Sequence, residues 1–268
     1  MEKDFVICPI CKQNLEKRDK EFVCKNNHSF DISKEGYVNL LLVNKKHSHN
    51  PGDSKEMVVA RDNFLQLGFF ERLKNFIQQT VIEGVYNRRL IIEAGCGTGY
   101  YLNGFENEFN NCIGIDISKE AVKTAAKSNK KAMFIVASIF EMPIKPNSVD
   151  CILNIFAPKP VSEFERVLAN NGIVVEVVPG ERHLIEIKNL LYEQGKERTA
   201  EYKSFNIKLE SSNKLTYQCN LSDNELISLI KMTPFFYKTS KADLEKLKNV
   251  KTLTVTFDFV INLYKKEI

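Results

Sequence analysis

Three thiols and an imidazole stand near the start of the chain at a spacing that suits one metal ion. Cys8-Pro-Ile-Cys11, twelve further residues, then Cys24-Lys-Asn-Asn-His28 reads C-x2-C-x12-C-x3-H. Tetrahedral zinc takes four N or S ligands from two short turns, and the metal then replaces the core that so small a module lacks. With Cys8, Cys11, Cys24 and His28 all bound, no position stays open to water, so the expected Zn2+ is structural and not catalytic. Lys20 to Val23 is extended in character, and Asn26-Asn27 suits a tight turn that brings His28 inward. The alternative reading, three buried free cysteines and an exposed histidine, does not account for two correctly spaced pairs.

A second constellation lies in the middle of the chain. Leu90-Ile-Ile92 runs into Glu93-Ala-Gly-Cys-Gly-Thr-Gly99, and an acid, Asp116, ends the next apolar run about 20 residues on. Gly95, Gly97 and Gly99 let a backbone turn tightly and come close to a ligand where a Cβ would clash. An acid at the end of the following strand is placed to hydrogen-bond a ribose diol. Dinucleotide sites usually follow G-x-G-x-x-G, which needs Gly where this chain has Tyr100. The run E-A-G-C-G-T-G instead resembles the first motif of class I S-adenosylmethionine-dependent methyltransferases. That resemblance implies that Gly95 to Gly97 pass beside the amino-acid moiety of the cofactor and that Asp116 holds its ribose. A structural Gly-rich turn in an inactive domain is the alternative. No activating His lies near Cys96 in sequence, so it reads as a small filler of the turn and not as a nucleophile.

These residues need elements to place them. Short apolar strands at Leu90–Ile92, Cys112–Ile115, Met133–Val136, Val149–Ile155 and Ile173–Val178 alternate with helical stretches, one of them expected directly after Gly99. Such alternation predicts an α/β, doubly wound Rossmann-like sheet with its ligand at the carboxyl ends of the strands. Ahead of it, Asp53-Ser-Lys-Glu56 reads as a capped helix start, with Met57, Ala60, Arg61 and Phe64 at helical spacing and Gly68 as the stop. A second helix runs from Glu71 to Glu83. Glu35 to Val43 is short and apolar and is expected to pack the metal module against the next domain. Lys45-Lys-His-Ser-His49 before Pro51-Gly52 reads as a polar loop, either merely solvated or touching phosphate. Leu184 to Tyr192 is helical, Glu193 to Asn213 reads as a polar insertion, and Ser222-Asp-Asn-Glu225 is a capping box. Leu253, Val255, Phe257, Phe259, Ile261 and Leu263 alternate with mostly polar residues as a half-buried strand, one of two that return to the sheet. The expected division is 1–36 for the zinc module, 37–87 for a linker and N-terminal helices, and 88–268 for the α/β domain.

Composition narrows the class. With 43% hydrophobic and 27% charged residues, the chain has enough apolar surface for a packed core, which excludes disorder as its main state. No apolar run reaches the length of a membrane span and Met1 to Ile7 carries three charges, so a cytoplasmic chain without a signal peptide is expected. The seven cysteines form no disulfide framework, in keeping with a reducing compartment. A net charge of +4 neither demands nor opposes a nucleic-acid partner.

Taken end to end, the chain resembles the bacterial 23S rRNA (guanine-N1)-methyltransferases. The resemblance rests on the Cys/His knuckle, Lys34-Glu-Gly-Tyr-Val-Asn-Leu40, Pro51-Gly-Asp-Ser54 with Glu56-Met57, Gly95-Cys-Gly97 with Tyr100-Tyr101, Phe156-Ala-Pro158, Pro179-Gly180, Arg182-His-Leu184 and Met232-Thr-Pro-Phe235. It implies methyl transfer from S-adenosylmethionine to N1 of a guanine in a hairpin loop of 23S rRNA, a zinc module that helps to recognise RNA, and a homodimer. It places cofactor contacts on Phe70, Gly97, Thr98 and His183; by residue type alone, Phe70 is equally a helix-packing aromatic and His183 a surface residue. It names no general base. Glu93 stands where Asp is common, Thr98 where an acid is common, and Asn154 where some members have Arg. Asn154 and Phe156, at the end of the fourth strand, are the candidates for orienting and stacking the target base, with core packing as the alternative for Phe156. Two other functions compete. One is a methyltransferase for another RNA, a protein or a small molecule, although a small substrate needs no separate recognition module. The other is a non-catalytic zinc-containing RNA-binding protein that keeps the fold as scaffold.

Overall fold

A computed structural model describes residues 5–42, 52–191, 207–233 and 250–267. The basic loop Lys45–His49, most of the polar run after Leu191, and Pro234-Phe235 of the Met232–Phe235 motif lie outside the described residues. The chain begins with a three-stranded antiparallel sheet, β1 (Leu15–Arg18), β2 (Glu21–Cys24) and β3 (Ser29–Asp31). β4 (Val38–Asn39) follows, then α1 (Lys55–Gln66) and α2 (Glu71–Gly84). The α/β domain proper is β5 (Leu90–Ala94), β6 (Asn111–Asp116), α3 (Lys119–Ser128), β7 (Met133–Val136), β8 (Val149–Ile155), α4 (Val161–Val167) and β9 (Leu168–Pro179). It closes with α5 (Ile185–Leu191), β10 (Ile207–Ser222), α6 (Asp223–Lys231) and β11 (Thr252–Lys266).

The large sheet has the order β10-β11-β9-β8-β5-β6-β7-β4. Strands β4 to β9 pair in parallel, whereas β11 runs antiparallel to both β9 and β10. This is the doubly wound sheet expected from the strand-helix alternation, with two terminal strands folded back onto its edge. The order reverses between β5 and β8, so the crevice outside their carboxyl ends is the topological switch point where such sheets take ligands.

The sequence cues for the helix starts hold locally. The Ser54 hydroxyl accepts from the Met57 N–H at the start of α1, and Ser118 accepts from Ala121 at the start of α3. At α6 the Glu225 carboxylate accepts from both the N–H and the hydroxyl of Ser222. Two expectations fail. No helix follows Gly99; residues 100–104 form consecutive turns. Gly97, Gly99 and Gly104 all have positive φ, and the Leu102 N–H goes to the Glu93 carboxylate and not to a backbone carbonyl. The polar run also ends earlier than expected, because Ile207–Asn213 belongs to β10 and pairs with Ile261–Lys266 of β11. Its polar side chains suit an edge strand facing water.

Apolar side chains form one core on each face of the sheet. The first is covered by α1, α2, α3, α5 and α6, through residues such as Phe64, Leu73, Ile77, Val122, Ile187 and Leu229. The second carries α4 and, beside it, the Cys/His module: Val6, Cys8, Leu15, Phe22 and Cys24 share a cluster with Ile139, Met142 and Ile144. Backbone bonds stitch the two together, Ile7 N–H to the Pro143 carbonyl at 2.9 Å and Lys145 N–H to that of Phe5 at 2.9 Å. Residues 38–39, which the sequence suggested as linker, form the edge strand next to β7. The small module therefore covers sheet surface that would otherwise stay wet.

Candidate functional site

The sulfur and nitrogen atoms of Cys8, Cys11, Cys24 and His28 all lie within 4.8 Å of one another. Cys8 Sγ and Cys24 Sγ are 3.5 and 3.4 Å from His28 Nδ1, and Cys11 Sγ is 3.6 Å from Cys24 Sγ. Ligand atoms around tetrahedral zinc stand about 3.5–3.8 Å apart, so the quartet has the dimensions of a closed zinc site. Two tight turns produce it. The Lys12 N–H closes on the Cys8 carbonyl and the Asn27 N–H on that of Cys24, with Lys12 and Asn27 in the left-handed region. Lys12 also pairs with Glu141 at 2.8 Å, tying the first knuckle to the loop after β7.

At the switch point, the N–H groups of Gly95 and Cys96 both donate to the Ile115 carbonyl, which folds the loop across the end of β6. Asp116 Oδ2 accepts from the Gly97 N–H at 2.8 Å and Oδ1 from the Ser118 N–H at 2.7 Å. Each oxygen has spent one acceptor site and keeps capacity for a diol. Burial pushes this carboxyl above its ordinary range, against the pull of those two N–H groups. Gly97 has φ +50, and a Cβ on Gly95 would come 2.7 Å from Ala157 Cβ, so both positions require glycine. The Thr98 hydroxyl is buried with no hydrogen-bond partner among the described residues, as is that of Tyr101. A buried donor left unmade beside a glycine cradle suits a polar ligand. Cys96 is buried, and burial pushes its thiol up, so it is no thiolate nucleophile. Segment 52–53 packs over the start of α3, where the Ser118 hydroxyl donates to the Asp53 carbonyl at 3.0 Å.

Beside this loop lies an aromatic wall. Phe70 is buried, with ring centroids 5.3 Å from Phe257, 5.7 Å from Phe259 and 6.4 Å from Phe156. The His183 ring is 4.8 Å from Phe259 and lies near-parallel to Phe156 at 6.4 Å. Its Nδ1 accepts the Asp258 N–H at 3.3 Å, so a neutral ring carries its proton on Nε2. Burial keeps the ring neutral, pushing its pKa down to about 4. Phe156 stands out: it is 43% exposed, at the carboxyl end of β8, and holds φ +54, a conformation that costs a non-glycine residue about 1–2 kcal/mol.

Asn154 does not face this opening. It is 1% exposed, on the opposite face of the sheet, and its Nδ2 donates to the Pro158 carbonyl at 2.9 Å. It braces the Phe156–Pro158 turn from behind, which corrects its expected role in orienting a base. Glu176, paired in register with Asn154, accepts from Asn262 and from the Tyr264 hydroxyl and forms a 3.0 Å ion pair with Lys159. The turn after β8 is thus clamped to the sheet at two successive residues.

The structure brings Gly95, Gly97 and Thr98 together in one loop against the Asp116 carboxylate at the end of β6, and Phe70 and His183 together in one wall. Ala157 against Gly95 joins loop and wall. The metal quartet stands apart. Phe257 and Phe259 were legible only as strand core, and Arg61 only as a helix position, because sequence periodicity carries no information about which core residues border a crevice.

A zinc-ribbon family model described as "RlmA, N-terminal" matches residues 6–49, and one described as "Methyltransferase domain" matches residues 92–175. The Bacillus subtilis (strain 168) protein YxjB, provisionally named a 23S rRNA (guanine-N1)-methyltransferase, is 32% identical over 94% of this chain and 93% of its own length. A Streptomyces fradiae 23S rRNA (guanine(748)-N1)-methyltransferase is 31% identical over 70% of this chain and 68% of its own. Among solved structures, one from Anaeromyxobacter dehalogenans, provisionally titled a type II methyltransferase, superposes with a TM-score of 0.50 at 15% identity. It covers 70% of this chain and 94% of that one, and shows the fold alone.

Proposed function

The chain belongs to the 23S rRNA (guanine-N1)-methyltransferase family, and from that premise we propose how its parts divide the work. It is an S-adenosylmethionine-dependent rRNA methyltransferase with a structural zinc ribbon. The finer reading is that N1 of a guanine in a hairpin loop of 23S rRNA receives the methyl group, that residues 1–36 recognise that RNA, and that a homodimer acts in the cytoplasm. The observation that carries it is the joining of this ribbon to this sheet: likeness to the relatives runs across both, and both share one core.

When bound, the cofactor supplies an activated methyl group; the chain supplies placement. Gly95 to Gly97 give it room, Asp116 accepts from its ribose, and Thr98 offers an otherwise idle hydroxyl. Phe70 walls its apolar side, and His183 presents a neutral Nε2–H. Phe156, held out by the clamped turn behind it, offers a face on which an unstacked base can lie. The guanine N1 sits on the Watson–Crick edge, so the enzyme must take a base that is already unpaired or flip one out. The proton leaving N1 passes to a carboxylate or to water.

Incubating the protein with S-adenosylmethionine and an unmodified transcript of the rRNA, followed by primer extension, tests this. N1 methylation blocks pairing and produces a reverse-transcription stop at one guanine. Cofactor binding without a stop on any guanine contradicts the assignment.

A further inference from the structure

We propose that Arg61 is the residue that binds the carboxylate of the cofactor's amino-acid moiety. The inference rests on the cofactor being S-adenosylmethionine. Arg61 projects from α1, and its Nη1 lies 3.7 Å from where a Cβ of Gly97 would stand. The guanidinium therefore lies over the glycine loop at the switch point, and not on the outer surface of α1. Two contacts fix it. Nη1 donates to the Asp53 carboxylate, and Nη2 donates to the Met232 carbonyl at 3.1 Å. Asp53 is itself fastened to the start of α3 through Ser118, next to Asp116. A planar cation with five donors, two of them spent on holding it still, has the remaining donors for a carboxylate.

Charge points the same way. The loop is flanked by the carboxylates of Asp116 and Asp53, which suit the ribose and the positively charged end of the ligand. They repel the one anionic group of the ligand, so that group needs a cation. Lys74 is the competing cation. It is half-buried over the Tyr100 ring at 4.8 Å, whereas the Arg61 guanidinium reaches Gly97.

Binding of two probes by calorimetry separates the possibilities. S-adenosylhomocysteine carries the carboxylate; 5′-methylthioadenosine has the same nucleoside and a thioether but lacks the amino-acid end. Arg61→Met is expected to weaken S-adenosylhomocysteine about 10- to 100-fold, the worth of a lost charge-assisted hydrogen bond. It leaves 5′-methylthioadenosine within about threefold, because that probe never met the guanidinium. Arg61→Lys keeps the charge and falls between, and Lys74→Met preserves the wild-type ratio of the two affinities. Equal losses of both probes in Arg61→Met would show that the arginine merely supports the loop and would overturn the proposal, as would no loss of either. A wild-type protein that binds neither probe fails at the earlier step and overturns the cofactor reading together with it.

Discussion

Glu93 makes the folded protein sensitive to alkali in a way that can be worked out from its surroundings. The side chain is buried at the end of β5, and its carboxylate accepts one hydrogen bond, from Leu102 N–H at 3.0 Å. Burial pushes its pKa from an ordinary 4.5 up to about 8; Leu102 and Lys74 oppose this, and the charge of Asp116 adds to it. Between those two values the folded chain holds a proton that the unfolded chain has released. Stability from this group is therefore complete below pH 4.5 and is lost as pH rises toward 8, by about 1.4 kcal/mol per pH unit. His183 works in the opposite sense. Its pKa falls from 6.5 to about 4, so its contribution grows as pH rises through that interval and is complete above it. The two slopes offset each other between pH 4.5 and 6.5, and from 6.5 to 8 only Glu93 of these two still contributes, for a loss of about 2 kcal/mol.

The assay is urea unfolding of the wild type and of Glu93→Gln at pH 6.5 and 8.0. Gln keeps an acceptor for Leu102 but has no proton to lose. The stability difference between the two proteins is expected to move by about 2 kcal/mol in favour of the variant over that interval, with the zinc ligands' own titration cancelling in the subtraction. Parallel pH profiles for the two proteins would refute the argument, because they would mean that Glu93 keeps the same charge in both states.

Three further outcomes follow from the structure. Cys24→Ser removes one of four zinc ligands and is expected to take the bound metal, measured by elemental analysis, from one equivalent to a small fraction of one; a variant that keeps its full equivalent contradicts the site. Lys159→Met leaves Glu176 buried without its cation and is expected to lower unfolding free energy by about 3 kcal/mol, most of it recovered when Glu176 is also made Leu; strictly additive losses would show that the pair is not coupled. Asn154→Ala removes the bond to Pro158 and loosens the turn that presents Phe156. Turnover is expected to fall several-fold while S-adenosylhomocysteine affinity holds, and equal losses in both would refute a role confined to the target side.

Much of this architecture is legible in the order of the residues alone. Val149–Ile155 and Met133–Val136 are strands with the bounds their apolar runs predict, because a parallel strand buried on both faces leaves a continuous apolar signature. The Cys/His quartet is legible because ligand spacing is a local property. What escapes is set by distant parts of the chain. The stretch after Gly99 has helix-like composition, yet three positive-φ glycines and the Glu93 carboxylate hold it in turns. Asn154 sits where a base-reading residue could be expected, but strand alternation turns it to the far face, where Pro158 satisfies it. The gathering of Phe70, Phe156 and His183, far apart in sequence, depends on β11 lying against β9 and bringing Phe257 and Phe259 beneath them. Arg61 has the pattern of any polar helix position, and only the reach of its guanidinium to Gly97 sets it apart.

Methyl transfer to guanine N1 is tested most directly with S-adenosylmethionine bearing a deuterated methyl group and unmodified 23S rRNA. After reaction the RNA is digested to nucleosides, and the labelled species is identified by liquid chromatography and mass spectrometry against the methylguanosine isomers. The label is expected as 1-methylguanosine, in an amount that approaches one per RNA molecule. Label on another position of guanine, on another base, or on no nucleoside despite demonstrated cofactor binding would contradict it.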